Sequence, residues 1–561
     1  MHQRIAKTLA GLLLASAAIA GTASLAAAQE QEGTLRIAFG SFGRESLDPG
    51  SDSGVSQQQF MTQMFDQLLD FSPDGGIGPG LATEWSISPD GLLYTLKLRD
   101  DVEFHHGWGP MTAEDVRFSL IRRAAGPLGQ SGAFVNLVEE IAVVDDHTVT
   151  IRLNAPAVSF LYELSPHQST TSMILSRNYL MQGHEDMDLT ALSDEDFEAE
   201  INRQTDMMNE LPIGTGPFAF ESRVLGDSMT FTALDSHWRK TPEFATLQFI
   251  LVPEVATQVA LIKSGDIDMI QVDADGAEEM DASGIPIRSM PSSTAIGWMW
   301  TGTAREAAQG KPTANAEVRR ALNMAIDRET LIDVFAGGRG GLPDAPFSLT
   351  AATANVDSTF WEAWFAENVP YDLDAARKIL ADEGYPNGFD DEVKAFAFNR
   401  GNAPWLTQMV EAIVGGWSEL GVNIEIQPID YGAYRPHLVG AEPNDPFNAG
   451  DGAPMATNTQ FDPSRSMYVW FESTGPLAVM GDSRTEFDEL WKQIDSEFDP
   501  EERERLVREA SLIALEHQSL TPLFNVDTLW ALNPDTVDPD SWYAIEGYPY
   551  LGRTYENLRP R

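Results

Sequence analysis

The polar residues of this chain do not fall into the familiar catalytic spacings. The 561 residues include no cysteine, which excludes a thiolate nucleophile and any cysteine-based metal site. Segment 129–132 begins like a G-x-S-x-G serine elbow but lacks the last glycine, and there is no G-x-x-x-x-G-K-[ST] phosphate loop. His105 and His106 are adjacent, and on a strand their side chains would point to opposite faces, which makes them poor joint ligands.

Carboxylates are the other residues that could do chemistry. Segment 271–282 resembles a calcium-binding loop only weakly, because Gln271 and Ala282 stand at positions that need carboxylate oxygens. With 85 Asp and Glu residues, carboxylate pairs arise everywhere by chance. The sequence therefore predicts a protein that is not an enzyme and that holds neither a metal ion nor another cofactor.

Aromatic residues near turns are more informative, because aromatic side chains at strand ends and in loops commonly line ligand clefts. Each of them could also fill a core, and both interpretations stay open for each residue. The predicted ligand-contacting set combines the loop after the first strand, one later strand and two further segments: Phe42, Arg44, Trp298, Trp300, Thr301, Trp405 and Tyr434.

The elements that would position these residues alternate between strands and helices. Thr34–Phe39 predicts a first strand that runs into a Gly/Ser turn. Residues 404–420 place apolar side chains on one helical face, and Gly421 stops that helix. Residues 422–426 then alternate apolar and polar side chains, as a half-buried strand does.

Three further segments extend the same pattern. Residues 317–335 predict one amphipathic helix. Asp499 followed by Pro500 predicts a helix start, with Asp as the N-cap. The acidic segment 184–210 predicts a helical or loosely ordered surface insertion. Alternating helices and strands without a linker indicate one α/β body whose lobes are built from interleaved segments.

The N-terminus has the layout of a secretory signal peptide. Arg4 and Lys7 supply the positive start, residues 9–20 are apolar, and small residues lead to Ala28. The apolar run is too short for a membrane-spanning helix, so we expect cleavage after residue 28 and no membrane insertion. Because a lipoprotein anchor needs a cysteine at that point, we expect a protein of the periplasm that is not lipid-anchored.

Length and charge narrow the class further. A mature chain of this length exceeds what one core can use, so two or three lobes are expected. The formal net charge of −48 argues against nucleic-acid binding, which needs clustered Lys and Arg. The charge fits a strongly solvated surface, or else a preference for cationic or neutral solutes.

Six motifs follow one another between about residues 34 and 516. They are the long segment 79–116, then Gly214–Phe218, Ser236–Arg239, Ser264–Asp268, Val318–Arg328 and Tyr371–Phe389. Their types, order and spacing resemble the family of extracellular solute-binding proteins that includes the dipeptide-, oligopeptide- and nickel-binding receptors.

The resemblance implies an α/β, periplasmic-binding-protein-like bilobed fold with an additional third domain, its lobes connected by a hinge. The predicted chain division lists, in order, lobe I at 29–78, the additional domain at 79–212, lobe I again at 213–285, lobe II at 286–512 and lobe I at 513–561. It also implies the periplasmic substrate-binding component of an ABC importer: a monomer that delivers a short peptide or another small solute to an inner-membrane permease complex.

The resemblance fails at one position that matters for the ligand. Dipeptide and oligopeptide receptors of the family hold the peptide's α-ammonium with an aspartate that precedes a loop Asp-Pro or Glu-Pro. Here the matching position is Thr459, which is uncharged and precedes Asp462-Pro463. Asp451 could substitute if the loop is rearranged. Thr459, Asp451 and Asp462 therefore join the predicted ligand-binding set.

Three functions stay open at this point. The leading prediction is capture of a peptide or peptide-sized solute. An alternative is the same role for a non-peptide solute, such as an oligosaccharide or an opine-like compound. A periplasmic hydrolase is a third, which the missing nucleophile and metal motifs disfavour.

Overall fold

The computed structural model describes residues 31–50, 55–72, 75–124, 137–167, 172–350, 356–400, 403–438, 447, 449–473, 475, 477, 485–548 and 550–561. The predicted signal peptide and segment 129–132 lie outside these residues.

The described strands are β1 Thr34–Phe39, β2 Leu69–Phe71, β3 Ile77–Pro79, β4 Ala82–Ile87, β5 Leu93–Leu98, β6 Val138–Asp145, β7 Thr148–Leu153, β8 Phe218–Val224, β9 Ser228–Ala233, β10 Thr246–Leu251, β11 Met269–Val272, β12 Ile287–Thr301, β13 Gly340–Gly341, β14 Phe389–Ala397, β15 Val422–Pro428, β16 Asp451–Asn458 and β17 Leu520–Leu532.

The described α-helices are α1 Val55–Met64, α2 Ala113–Ala124, α3 Ser159–Glu163, α4 Arg177–Leu180, α5 Asp194–Glu210, α6 Val255–Ser264, α7 Ala274–Ala282, α8 Ala316–Met324, α9 Arg328–Ala336, α10 Ser358–Asn368, α11 Leu373–Asp382, α12 Leu406–Ser418, α13 Tyr431–Leu438, α14 Pro463–Trp470, α15 Thr485–Ser496, α16 Pro500–Glu516 and α17 Gly552–Asn557.

One large mixed sheet runs through the molecule in the order β15-β14-β16-β12-β17-β11-β1-β10-β9-β8, with β13 paired to β17. We call the part with β1 and β8–β11 lobe I, and the part with β14–β16 lobe II. The long antiparallel strands β12 and β17 lie between them and bond to both. A separate four-stranded sheet, β4-β5-β7-β6, forms the core of what we call the additional domain. The chain boundaries given above for the lobes stay predictions.

The hydrophobic cores follow this division with one exception. Lobe I and the additional domain share a single buried cluster, in which Leu35 and Ile37 of β1 belong together with Tyr94 and Leu96 of β5. Lobe II has two clusters of its own, one containing Trp417 and Leu406 of α12 and the other containing residues of α13–α16. The additional domain therefore belongs structurally to lobe I.

Several local predictions are confirmed. β1 covers Thr34–Phe39, α12 ends shortly before Gly421, and β15 follows it directly. Asp499 caps α16 by accepting hydrogen bonds from the backbone N–H groups of Glu501 and Glu502. Each of these signals is short-range, so each could be recognised from neighbouring residues alone.

The helix expected over 317–335 is instead two helices, α8 and α9. Asp327 ends the run because its carboxylate accepts a hydrogen bond from the Thr330 backbone N–H at 3.0 Å, which starts a new helix. Arg319, expected to share one interior helix with Asp327, instead donates to the Thr313 carbonyl oxygen at 2.6 Å and also to the His517 carbonyl oxygen. Asp327 has an extended backbone conformation and caps α9 instead of continuing α8.

Two other expectations concern segment 184–210 and His105. The acidic segment takes the helical of the two expected forms over Asp194–Glu210, where α5 buries Phe197, Ile201 and Met208 against the shared core. His105 lies in a short 3-10 helix rather than on a strand, and its Nε2–H donates to the Gly216 carbonyl oxygen at 2.9 Å. In both cases tertiary packing decides the local conformation.

The Gly-Thr-Gly-Pro-Phe motif owes its glycines to a close crossing. A Cβ at Gly214 would lie 2.1 Å from the Met64 carbonyl oxygen, and one at Gly216 would lie 2.3 Å from the Gln63 carbonyl oxygen. Both distances are far below van der Waals contact, so only glycine lets the chain pass the end of α1. This part of the motif is scaffold.

None of the helices in the described part of the chain has both the length and the apolar character that crossing a bilayer requires.

A buried ion network joins three distant parts of the chain in lobe I. Arg239 donates to Asp66 at 3.0 Å and to Glu556 at 2.8 Å, and it also contacts Asp70 at 3.4 Å. Burial would raise the pKa of the Asp66 carboxyl, but the neighbouring His237 and Arg239 hold it well below its usual range. The network fixes the α1, β9–β10 and α17 regions against one another.

We expect Arg239→Met to lower the free energy of unfolding by about 3–5 kcal/mol, because it leaves buried carboxylates without their cation. Arg377→Met is the matched control, since Arg377 pairs with Asp374 on the surface, and its loss should be below about 1 kcal/mol. Urea unfolding of both variants measures the difference. Equal losses would show that the network contributes no more than a surface pair.

Candidate functional site

Lobe I and lobe II meet where the β12–β17 ladder becomes irregular. The register of these strands shifts between Met290 and Thr294, and Ser292 has a positive φ of 48°. The Ser292 N–H donates to the Asp527 carboxylate at 3.0 Å, and the Ser293 hydroxyl bonds with that of Thr528 at 2.7 Å. Side chains therefore replace part of the ladder at this point, where the regular pairing is interrupted.

Residues 458–462 begin at the last residue of β16 and lie directly against this irregular point. The Thr459 N–H donates to the Ser293 carbonyl oxygen at 3.2 Å, and its hydroxyl donates to the Ser292 carbonyl oxygen at 2.5 Å. The Asn458 side-chain amide donates to the Tyr550 hydroxyl at 3.1 Å, which joins lobe II to the C-terminal segment. We call residues 458–462 the crossing segment.

Phe461 of the crossing segment contacts aromatic rings from three other places in the chain. Its ring centroid lies 4.8 Å from His167, 5.5 Å from Phe71 and 6.4 Å from Tyr548. His167 is held in turn by the Gly75 carbonyl oxygen at 2.9 Å. Phe461 is almost completely buried as a result. The geometry is that of tilted and edge-on aromatic packing.

The two tryptophans of β12 lie inside the lobe II core. Trp298 and Trp300 are fully buried and pack on Trp417 of α12 at 5.1 and 5.4 Å. They occupy alternate positions of the strand, so both face the same side of the sheet. This packing gives both rings a structural role, and ligand contact by them stays a prediction that the packing does not favour.

The other predicted aromatic residues are spread over the two lobes. Phe42 is buried in the lobe I core, next to Phe39. Tyr434 is buried among Phe396 and Phe398 in lobe II. Trp405 is half-buried and stacks on rings of lobe II. The structure therefore does not bring these residues together.

Arg44 and Thr301 also lie apart. Arg44 is exposed after β1. Thr301 is buried at the end of β12, where its hydroxyl lies 3.4 Å from the Asp451 carbonyl oxygen. Their contact with ligand stays a prediction, as it does for the aromatic residues.

The two carboxylates near the predicted anchoring position already have cations beside them. Asp451 is buried and accepts from the Lys311 ammonium at 2.8 Å and from the Lys394 N–H at 3.0 Å. Asp462 is fully buried and forms an ion pair with Arg503 at 2.5 Å while capping α14. Neither carboxylate is therefore available to a ligand ammonium without breaking a buried ion pair.

A second group of carboxylates lies near the irregular point of the ladder. Burial, together with the charges of Asp344 and Asp527, raises the pKa of Glu546. The Glu546 carboxyl therefore keeps its proton to a higher pH than an isolated glutamate would.

The residues that the sequence analysis missed are Phe71, His167, Phe461, Tyr548 and Tyr550. Phe461 stands two residues after Thr459, so the loop motif pointed to its neighbourhood. The other four come from segments without any recognised motif, and only the fold brings them to the crossing segment. In the described residues, no group of three or more His, Asp or Glu side chains lies close enough together to hold a metal ion.

Comparison with known proteins identifies the family. Residues 76–475 match the bacterial extracellular solute-binding proteins, family 5, in the part described as its middle. The chain therefore belongs to this family of solute-binding proteins. The sequence-based assignment is confirmed.

Individual proteins that the chain resembles are also solute-binding proteins. The chain is 25% identical over 480 residues to heme-binding protein A of Haemophilus influenzae, covering 82% of this chain and 81% of the relative. It is 26% identical over 405 residues to the dipeptide-binding protein of Escherichia coli, covering 68% and 69%. The structure of DppA from Helicobacter pylori in complex with the peptide STSA superposes with a TM-score of 0.70 at 22% identity, covering 95% of this chain and 99% of that one. That likeness confirms the predicted α/β binding-protein fold.

The buried His167, which packs against Phe461 of the crossing segment, should make the free energy of unfolding depend on pH. Burial lowers the pKa of the His167 imidazole to about 4, below its ordinary value of about 6.5. Between these values the unfolded chain binds a proton that the folded chain does not, so stability falls as the pH decreases from about 6.5 to about 4. At pH 4.5 this one group should remove about 2.5 kcal/mol.

His167→Phe keeps a ring in place and should remove that part of the pH dependence. The exposed His106→Asn is the control, because asparagine tolerates the positive φ of 56° at that position. Urea unfolding at pH 7.5 and 4.5 checks the expectation. A wild-type slope that His167→Phe leaves unchanged would contradict the burial of a neutral imidazole.

Proposed function

We propose that this protein is the substrate-binding component of an ABC importer that captures a small solute between lobe I and lobe II. The observation that carries the proposal is the junction itself: two lobes share one sheet, and its central ladder is irregular where the crossing segment lies. Membership of the solute-binding family supports the same conclusion. The proposed partner is an inner-membrane permease complex, and the proposed working state is a monomer.

The proposed mechanism is closure of the two lobes over the solute. A ligand that touches both lobes binds the closed state more tightly than the open one, and it shifts the equilibrium by that difference. Lobe closure requires the shared sheet to bend. We propose that it bends around Ser292 and Ser293, because the ladder is irregular there and few hydrogen bonds between strands must change. Binding then leaves the solute chemically unaltered.

The proposed ligand is a peptide or a peptide-sized solute that does not depend on a charged amino terminus. The names of relatives cover both dipeptide and heme, so the family tolerates different ligand chemistries. At the anchoring position this chain has Thr459, and the nearby Asp451 and Asp462 already form ion pairs. A non-peptide solute, such as an oligosaccharide or an opine-like compound, remains the second candidate because the same neutral position favours it.

The proposed route to the site of action is export with removal of residues 1–28. Mature protein released by osmotic shock should then begin at Gln29, which N-terminal sequencing checks. A membrane-bound product that retains Met1–Ala28 would contradict export by cleavage.

For ligand recognition, we expect a bound peptide and its N-acetylated form to have affinities within about threefold of each other. A held ammonium would contribute roughly 1.5–3 kcal/mol, which is about ten- to a hundredfold in affinity. Calorimetry with both forms of one peptide measures the ratio. Thr459→Asp should make binding prefer the free amine, whereas Thr459→Val, which keeps the shape without the charge, should not.

A tenfold loss on acetylation of the ligand would contradict the neutral anchor. In that case the ammonium would be held by another carboxylate, and the group around Glu546 would be the first to test by Glu546→Gln.

A further inference from the structure

Phe461 is placed unusually for a buried phenylalanine of lobe II. The three rings that it contacts come from outside lobe II: Phe71 follows α1, His167 follows α3, and Tyr548 precedes α17. We call these three residues the aromatic cage. They also contact one another, with Phe71 lying 4.0 Å from His167 and 4.8 Å from Tyr548.

The cage is fixed to lobe I and the additional domain independently of Phe461. Asp70, next to Phe71, is bonded to Arg239 and Arg553 in the buried ion network. His167 is held on both nitrogens, by Ser165 and by the Gly75 carbonyl oxygen, each at 2.9 Å. The rings of the aromatic cage therefore keep their arrangement when lobe II moves.

Phe461 is fixed to lobe II in the same way. The Gln460 N–H donates to the Ser348 carbonyl oxygen at 2.7 Å. Asp462, on the other side, is held by Arg503 and caps α14. Because Phe461 stands between two anchored neighbours, its ring must move with lobe II.

Two polar contacts also join lobe II to the parts of the chain that carry the aromatic cage. The Asn458 side chain bonds to Tyr550 at 3.1 Å. Farther along, the Val158 N–H at the start of α3 donates to the Asp495 carbonyl oxygen of α15 at 2.6 Å. When the lobes part, the groups in these polar contacts can form hydrogen bonds with water instead, so each contact contributes little net free energy to holding the lobes together. The aromatic ring differs, because exposing it to water has no such compensation.

We propose that Phe461 is a latch that holds lobe II against lobe I and the additional domain when no ligand is bound. Opening the lobes withdraws the ring from all three cage residues at once and exposes it to solvent. The latch therefore raises the population of the closed state before any solute arrives. A ligand then needs less differential affinity to complete closure.

Phe471 supplies a matched comparison within the same lobe. It is as deeply buried as Phe461, but its ring partners, Phe347 at 4.3 Å and Phe487 at 5.8 Å, both belong to the lobe II core. Truncating either phenylalanine removes the same side chain from a buried aromatic site. Only Phe461→Ala removes contacts between lobe II and the rest of the protein, whereas Phe471→Ala removes contacts within lobe II.

The experiment compares wild type, Phe461→Ala and Phe471→Ala after unfolding in denaturant, dialysis and refolding to remove any ligand. A compact chain of the mature length has a radius of gyration of about 24 Å. We expect X-ray scattering to give wild type and Phe471→Ala the same compact value without ligand, and Phe461→Ala a measurably larger one. Ligand-free wild type that is as expanded as Phe461→Ala, or a Phe461→Ala variant as compact as wild type, would overturn the latch.

The cysteine-free sequence allows a second measurement on the same three proteins. Fluorescent labels at Leu225→Cys in lobe I and Lys378→Cys in lobe II report the distance between lobes, and both native side chains are largely exposed. We expect single-molecule energy transfer to show a closed population that drops several-fold in Phe461→Ala only. An unchanged closed population in that variant would reject the proposal. Since no ligand is present, either result leaves the proposed import function to be judged on its own experiments.

Discussion

The hydrogen-bonded ladder between β12 and β17 is the constraint on which the rest of this structure depends. Both strands are long. β12 pairs with β16 of lobe II, β17 pairs with β11 of lobe I, and the two strands pair with each other, so the two lobes form one continuous sheet. A sheet cannot bend freely across regular pairing without breaking hydrogen bonds. The irregular stretch around Ser292 and Ser293, where side chains take over the bonding, is therefore where relative movement of the lobes disturbs least.

Buried arginines hold the parts on either side of this ladder. Arg239 joins three segments of lobe I through carboxylates, whereas Arg319 and Arg328 in lobe II donate to backbone carbonyl oxygens near helix ends. Carbonyl groups at helix C-termini carry partial negative charge, so a guanidinium satisfies several of them at once. For Arg328, burial without a carboxylate lowers the pKa to about 10, still high enough to keep the charge. In a chain with 85 acidic residues, the interior thus relies on its few cations.

Local predictions succeeded where a few neighbouring residues decide the outcome. The strand Thr34–Phe39, the stop at Gly421 and the cap at Asp499 are of this kind. The same reasoning failed at Asp327, because a capping side chain competes with helix continuation and the sequence does not rank the two. For the site, the uncharged Thr459 was visible from spacing alone. The ion pairs that occupy Asp451 and Asp462 join residues 140 and 41 positions apart, and no local pattern reveals them.

The sequence by itself determined the family, the alternation of helices and strands, and the uncharged residue at position 459, because each depends on residue type and spacing. Only the tertiary structure decided which aromatic residues meet. It packed Trp298 and Trp300 into the lobe II core, and it brought Phe71, His167 and Tyr548 around Phe461 from three separate segments of the chain. Burial of an aromatic ring is non-directional, so the composition predicts that rings will be buried but not against what. That choice is made by the sheet order and the path of the chain between the lobes.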